Sequence, residues 1–173
     1  IRASISAVDG LDVLQDMESP KSTVEHYLGE FRAGHGDEAF HGLTEVEPAV
    51  ISELINAYED TTDLDTKVFV IEVISEFRLD SSLYFLCHAL RRDDPRIWKA
   101  ALNGLAIAES PNAVDAMDHV LSSIQDSDKR EWIEEAITDT NMVIMKTAEQ
   151  AVAPNRSLAP ILKSTSSVRG SED

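Results

Sequence analysis

Between residues 47 and 139, apolar positions recur in short blocks with the spacing of a helix face. Val50, Ile51, Leu54, Ile55 and Tyr58 fall at i, i+1, i+4, i+5 and i+8, one stripe on a helix over residues 47–59 that opens at Pro48. Residues 66–78 are apolar almost all round (Val68, Phe69, Val70, Ile71, Val73, Ile74, Phe77), which predicts a helix sandwiched between neighbours. A helix over 81–92 follows, capped by Ser81 or Ser82, and then one over 95–108, capped by Asp94 with Pro95 in its first turn. Residues 111–123 and 128–139 give a third pair. Upstream, 22–33 and 37–46 form a shorter pair joined through Gly34, His35 and Gly36. Residues 5–17 predict one further helix, and 140–152 a separate last one. The Pro, Ser and Thr content after residue 153 predicts a tail. The expected organisation is an extension over 1–21, a repeat domain over 22–152 and a polar tail over 153–173.

The blocks repeat. Asp65, Asp94 and Asp128 each stand four residues before an aromatic, Phe69, Trp98 and Trp132, and each is followed by a helical apolar pattern. Residues 81–90 match 112–121, with His88 and His119 each two residues before a closing leucine, Leu90 and Leu121. A unit of about 30 residues holding two helices cannot bury its own apolar face, so it must stack on its neighbours.

From 81 to 108 the pattern becomes specific. Leu86, Ala89 and Leu90 end one helix; Asp94 and Ile97 form the turn; Ala100, Ala101, Gly104 and Ala106 make the next helix rich in small residues. This resembles the short HEAT-like repeats of bilin-lyase-type proteins, over roughly residues 37–139. The resemblance implies an all-α fold, a right-handed α-α superhelix of antiparallel helix pairs. It says little of function, because such folds host scaffolds, adaptors and a few enzymes. The family places an Arg after the apolar residue of the turn, where it stacks with Asp along the solenoid. Here Phe69, Trp98 and, by spacing, Trp132 stand at that place. The expectation is an aromatic row in place of the Asp–Arg ladder, either packed as core, the commoner use of such rings, or lining the groove as anchors.

Net charge changes the picture of partners. It is −17, with 15 acidic and 3 basic side chains in residues 1–66 against 17 and 12 in the remainder. So acidic a surface repels phosphate backbones, which disfavours nucleic acid and favours a basic protein partner, steered by the more acidic start of the array; charge serving solubility alone is the plainer alternative. No apolar run approaches membrane-spanning length, and residues 1–10 lack the apolar stretch of a secretory leader. The single cysteine, Cys87, fits a reducing compartment, so a cytoplasmic protein is expected.

Candidate chemistry is sparse. No phosphate-binding loop, dinucleotide fingerprint, hydrolase elbow, zinc-protease motif or cysteine cluster occurs. His35 and His41, with Glu38, are six apart, a poor spacing for shared metal ligation from one helix face. His88 and His119 read as a repeat-encoded polar position, with a stacked pH switch as the sharper alternative. Cys87 lies in an apolar helix and reads as a small hydrophobe. Arg91, Arg92 and Arg96 flank Asp93 and Asp94 at a turn, which suits local pairing. No catalytic residue, cofactor or metal is expected.

The expected function is a non-catalytic protein–protein interaction module, a scaffold or adaptor, binding through Phe69, Trp98, Lys99, Asn103, Trp132, Glu134 and Glu135. The alternatives are an immunity or inhibitor protein against a basic toxin, and a bilin-lyase-like enzyme or enzyme subunit. A slice of a longer solenoid is a further one, and would leave an exposed apolar end at 5–17 or 140–152.

Overall fold

The computed structural model describes residues 19–152. The expected helix at 5–17 and the tail after 153 lie outside the described residues. Within them there are eight α-helices and no strand: α1 Pro20–Arg32, α2 Gly36–Thr44, α3 Ile51–Asp60, α4 Leu64–Glu76, α5 Asp80–Leu90, α6 Pro95–Ile107, α7 Pro111–Leu121 and α8 Ser127–Val152. A 3-10 turn, Pro48–Val50, leads into α3. No described helix is long and apolar enough to cross a membrane.

Each odd-numbered helix pairs with the next, and the pairs stack in two layers. One layer runs α2, α4, α6, α8, each against the next; the other stacks α1 on α3 and α5 on α7. Tyr58 of α3 meets Phe85 of α5 edge-on at 5.1 Å between ring centres, continuing the second layer. Chain neighbours are also spatial neighbours, the signature of an all-α solenoid. The all-apolar reading of residues 66–78 is explained by this position: Val70, Ile71, Val73 and Ile74 are fully buried, with α2, α3, α5 and α6 around them.

The caps fix the repeat register. Asp63 accepts from the Thr66 backbone N–H at 2.8 Å, Asp94 from Arg96 at 2.8 Å, and Asp126 from Lys129 at 2.8 Å. The repeat thus steps by 31 and then 32 residues. Asp65 and Asp128 lie two residues inside their helices and cap nothing. Burial follows this register: three residues after each cap, Thr66, Ile97 and Lys129 are buried, and seven after, Val70, Ala101 and Ile133 are inaccessible. At α5 the cap is Leu79, with no side-chain bond, rather than Ser81 or Ser82. The Ser82 hydroxyl is instead buried, without a hydrogen-bond partner.

Two of the α2–α4–α6–α8 layer end alike. Arg78 and Glu109, 31 residues apart, both adopt left-handed backbone (φ 48° and 46°) just past α4 and α6, a conformation that stops a helix. The equivalent residue in the last repeat, Asn141, lies inside α8, which continues as one helix of 26 residues. The expected break at 139–140 does not occur: Asn141 keeps helical backbone where Arg78 and Glu109 turn left-handed. Beyond the turn that packs on α7, Met142, Val143 and Met145 are exposed.

Candidate functional site: the groove between α6 and α8

Where α4 meets α6 the seam is closed. A Cβ on Gly104 would stand 2.0 Å from Ser75 Oγ and 2.9 Å from its Cβ, so only glycine lets the two helices approach this closely. Ser75 turns its hydroxyl inward, donating to the Ile71 carbonyl at 2.7 Å.

Where α6 meets α8 the seam opens into a cleft of about 380 Å³. Lys99, Leu102, Asn103 and Ala106 line one wall, and Trp132, Glu135, Ala136 and Asp139 the other. Both sets have i, i+3, i+4, i+7 spacing, a single stripe on each helix. The two stripes run in the same direction, with Lys99 opposite Trp132 at one end and Ala106 opposite Asp139 at the other. The Lys99 ammonium lies 4.5 Å from the centre of the Trp132 ring and 5.4 Å from that of Trp98. This is an aromatic perch for a cation. The side chains of Glu135, Asp139 and Asn103 make no hydrogen bond or ion pair among the described residues. The cleft thus has an apolar floor, an internal cation at one end, and two carboxylates without a partner among the described residues, Glu135 midway along and Asp139 at the other end.

Four of the seven residues singled out from sequence, Lys99, Asn103, Trp132 and Glu135, meet in this cleft. Glu134 faces away and accepts from Arg130 at 3.4 Å. Phe69 and Trp98 are core, 5% and 7% exposed, against 49% for Trp132. Nor do the three rings form a row. Phe69 and Trp132 stand six residues after their caps and Trp98 four, because the caps are Asp63, Asp94 and Asp126. Phe69 stacks on Phe31, 4.1 Å between ring centres, while Trp98 meets Trp132 edge-on at 6.2 Å. The Arg of the Asp–Arg ladder is missing from its place, as expected; a different ion pair joins successive repeats, Arg96 with Asp65, each two residues after its cap. Sequence reasoning missed Leu102, Ala106, Ala136 and Asp139; helical spacing counted from Lys99 and Trp132 was the signal that could have found them.

The remaining candidates have local partners. His35 Nδ1 lies 2.6 Å from Glu30 Oε2, which raises the imidazole pKa and lowers that of the carboxyl. His88 stands 3.9 Å from Glu59, which also takes Arg92 at 3.5 Å. The Cys87 thiol faces the Ala116 carbonyl at 3.8 Å, and burial pushes its pKa up, away from the reactive thiolate. Arg91 reaches the Cys87 carbonyl at 3.3 Å. One unexpected group is Lys129, 6% exposed, whose ammonium donates to the Arg92 carbonyl at 2.9 Å and lies near the Trp98 ring. It joins α8 to the α5–α6 turn, and burial lowers its pKa. Among the described residues, no three His, Cys, Asp or Glu side chains are grouped to hold a metal ion.

No curated protein and no solved structure matches the chain. A family model does, that of HEAT repeats, over residues 51–151. Repeats of this kind commonly mediate contacts between proteins and are typically non-catalytic scaffolds. With more than half its length matched, and with stacked helix pairs in a 31- to 32-residue register, the chain belongs to the HEAT-repeat family.

Proposed function

We propose that the chain is a non-catalytic protein–protein interaction module, a scaffold or adaptor, that binds a basic protein partner through its acidic surface. The observation that carries this reading is the α6–α8 cleft of about 380 Å³, an apolar floor beside two carboxylates that have no partner among the described residues. Buried apolar contact supplies affinity, and the surrounding negative charge steers association and selects the partner's sign. Lys99, Asn103, Trp132 and Glu135 are the contact residues in this reading, within a binding unit over residues 22–152.

The test begins with the full chain immobilised and offered its source lysate at low salt. The captured protein is then purified and its affinity measured against salt concentration. The expected result is a basic protein whose Kd weakens about tenfold or more between roughly 50 and 300 mM salt, as screening removes the long-range attraction. A purified partner that is acidic, or whose affinity ignores salt, overturns the reading.

A further inference from the structure

The chemistry of the cleft names a narrower ligand, and this step rests on the basic-partner reading. Glu135 and Asp139 are one helical turn apart, about 6 Å along the axis. A guanidinium is a planar fork with donors on three nitrogens, wide enough to bond two carboxylates at that separation. An ammonium is a compact point charge and bridges them less well. Below the carboxylates lie Leu102, Ala106 and Ala136, an apolar floor that suits the three methylenes of an arginine stem. One turn further along α8 stand Met142 and Val143, 46% and 37% exposed, where α6 has already ended. They offer an apolar shelf beyond the charged end of the cleft.

Among the described residues, Lys99 is the cation of the cleft wall that could neutralise those carboxylates. It sits on Trp132, one turn before Glu135 and two before Asp139, and forms no ion pair with either. Trp132 thereby holds the internal cation aside and leaves the acidic end open.

We propose that the α6–α8 cleft seats an arginine side chain of a partner protein. Its guanidinium bridges Glu135 and Asp139, an adjacent apolar side chain rests on Met142 and Val143, and Trp132 keeps Lys99 out of the way. Glu135 and Asp139 are the binding groups; Trp132 is a positioning residue.

The probe is a fluorescein-labelled peptide of three Arg-Ala-Leu units, titrated by anisotropy into the full chain at about 50 mM salt. Glu135→Gln with Asp139→Asn, a near-isosteric pair of changes on an exposed stripe, is expected to weaken binding about tenfold. Replacing arginine by its neutral isostere citrulline should do the same in the intact chain and cost little more in that double variant. Lys99→Gln should tighten binding about threefold, while Lys21→Gln, on α1 and far from the cleft, should leave it within about 1.5-fold. Trp132→Ala should weaken binding by freeing Lys99, and adding Lys99→Gln should restore it, a reversal that a merely damaged fold would not show.

If the peptide binds but the double variant stays within twofold, the cleft is not the seat and the inference falls. It falls equally if the intact chain does not bind the peptide. In both cases the salt titration with the captured protein decides the broader reading independently.

Discussion

The α4–α6 and α6–α8 contacts are built from the same stacking and differ in what stands at the seam. In the first, Gly104 and Ser75 let the helices close until nothing fits between them. In the second, Asn103 and Ala106 face Glu135, Ala136 and Asp139, and a cleft remains. A solenoid repeats its backbone, so its surfaces are individualised by side chains. One missing Cβ lets the first seam close; at the next, Asn103, Glu135 and Asp139 stand at the walls of an open cleft. The two tryptophans divide likewise: Trp98 is sealed under α8, and Trp132, one repeat later and two positions out of register, is half in solvent.

The largest test of that contrast replaces each ring. Trp98→Ala should cost about 3–5 kcal/mol, the usual penalty for emptying an aromatic site in a core. Trp132→Ala should cost less than half as much, since about half its surface is already exposed. Chemical denaturation at constant m-value measures both, and equal losses would erase the distinction. Next in size is Gly104→Ala, expected to cost about 1–3 kcal/mol by overpacking against Ser75, less the part returned by better helix propensity. Asn103→Ala, its sequence neighbour on the open side, should stay within about 0.5 kcal/mol. Ser75→Gly combined with Gly104→Ala should recover much of the loss, which a double-mutant cycle reads directly.

Smaller effects test the register. Alanine at Asp63, Asp94 or Asp126 should each cost about 1 kcal/mol as a lost helix cap, whereas Asp128→Ala should cost appreciably less. The Asp63 carboxyl is held below its usual pKa by the Thr66 hydroxyl and backbone N–H. A carboxylate depressed in the folded state contributes stability above its unfolded pKa, near 4, and loses it as pH falls through the folded value. Acid unfolding of Asp63→Asn should therefore show a flatter pH dependence in that window. Glu72 on the same helix has the opposite sign: it remains accessible, but surrounding protein displaces part of its hydration and raises its pKa. Its stabilising effect exists below about pH 4.3 and fades as pH rises through the folded value, so Glu72→Gln should gain stability at neutral pH. The smallest effect is expected at Glu109→Gly, which relieves a left-handed backbone and should gain about 0.5 kcal/mol, visible as a slightly higher Tm.

Fold class was legible because stacking demands apolar periodicity on every helix, and the match between residues 81–90 and 112–121 exposed the period. The register was less legible. Asp63 and Asp65 both precede the first long apolar run, and Asp126 and Asp128 the last; only the hydrogen bonds from the Thr66 and Lys129 backbone N–H groups show that Asp63 and Asp126 cap. Choosing the inner aspartate at each end produced the aromatic row that the structure does not contain. The length of α8 was misjudged because helix propensity alone has no stop signal at 139, while the stops at Arg78 and Glu109 rest on left-handed backbone at residues that carry no glycine to announce it. Half of the cleft was legible through exposed polar positions. The alanines and Leu102 that make its floor are indistinguishable in sequence from core, because only the spacing of α6 from α8 decides whether they meet another side chain or open space.

The left-handed stops also set a thickness. Counted at 1.5 Å per residue, α4 and α6 each measure about 20 Å, and two successive repeats are trimmed to the same edge. The 26 residues of α8 measure about 39 Å, nearly twice that. Among the described residues, its half beyond Thr140 therefore stands clear of the slab like a handle, rooted through the half that precedes it. Burial ends at Thr140 among the described residues, so a tilt of about ten degrees there would move the far end, about 18 Å on, by about 3 Å, and the handle would amplify any adjustment made at its root.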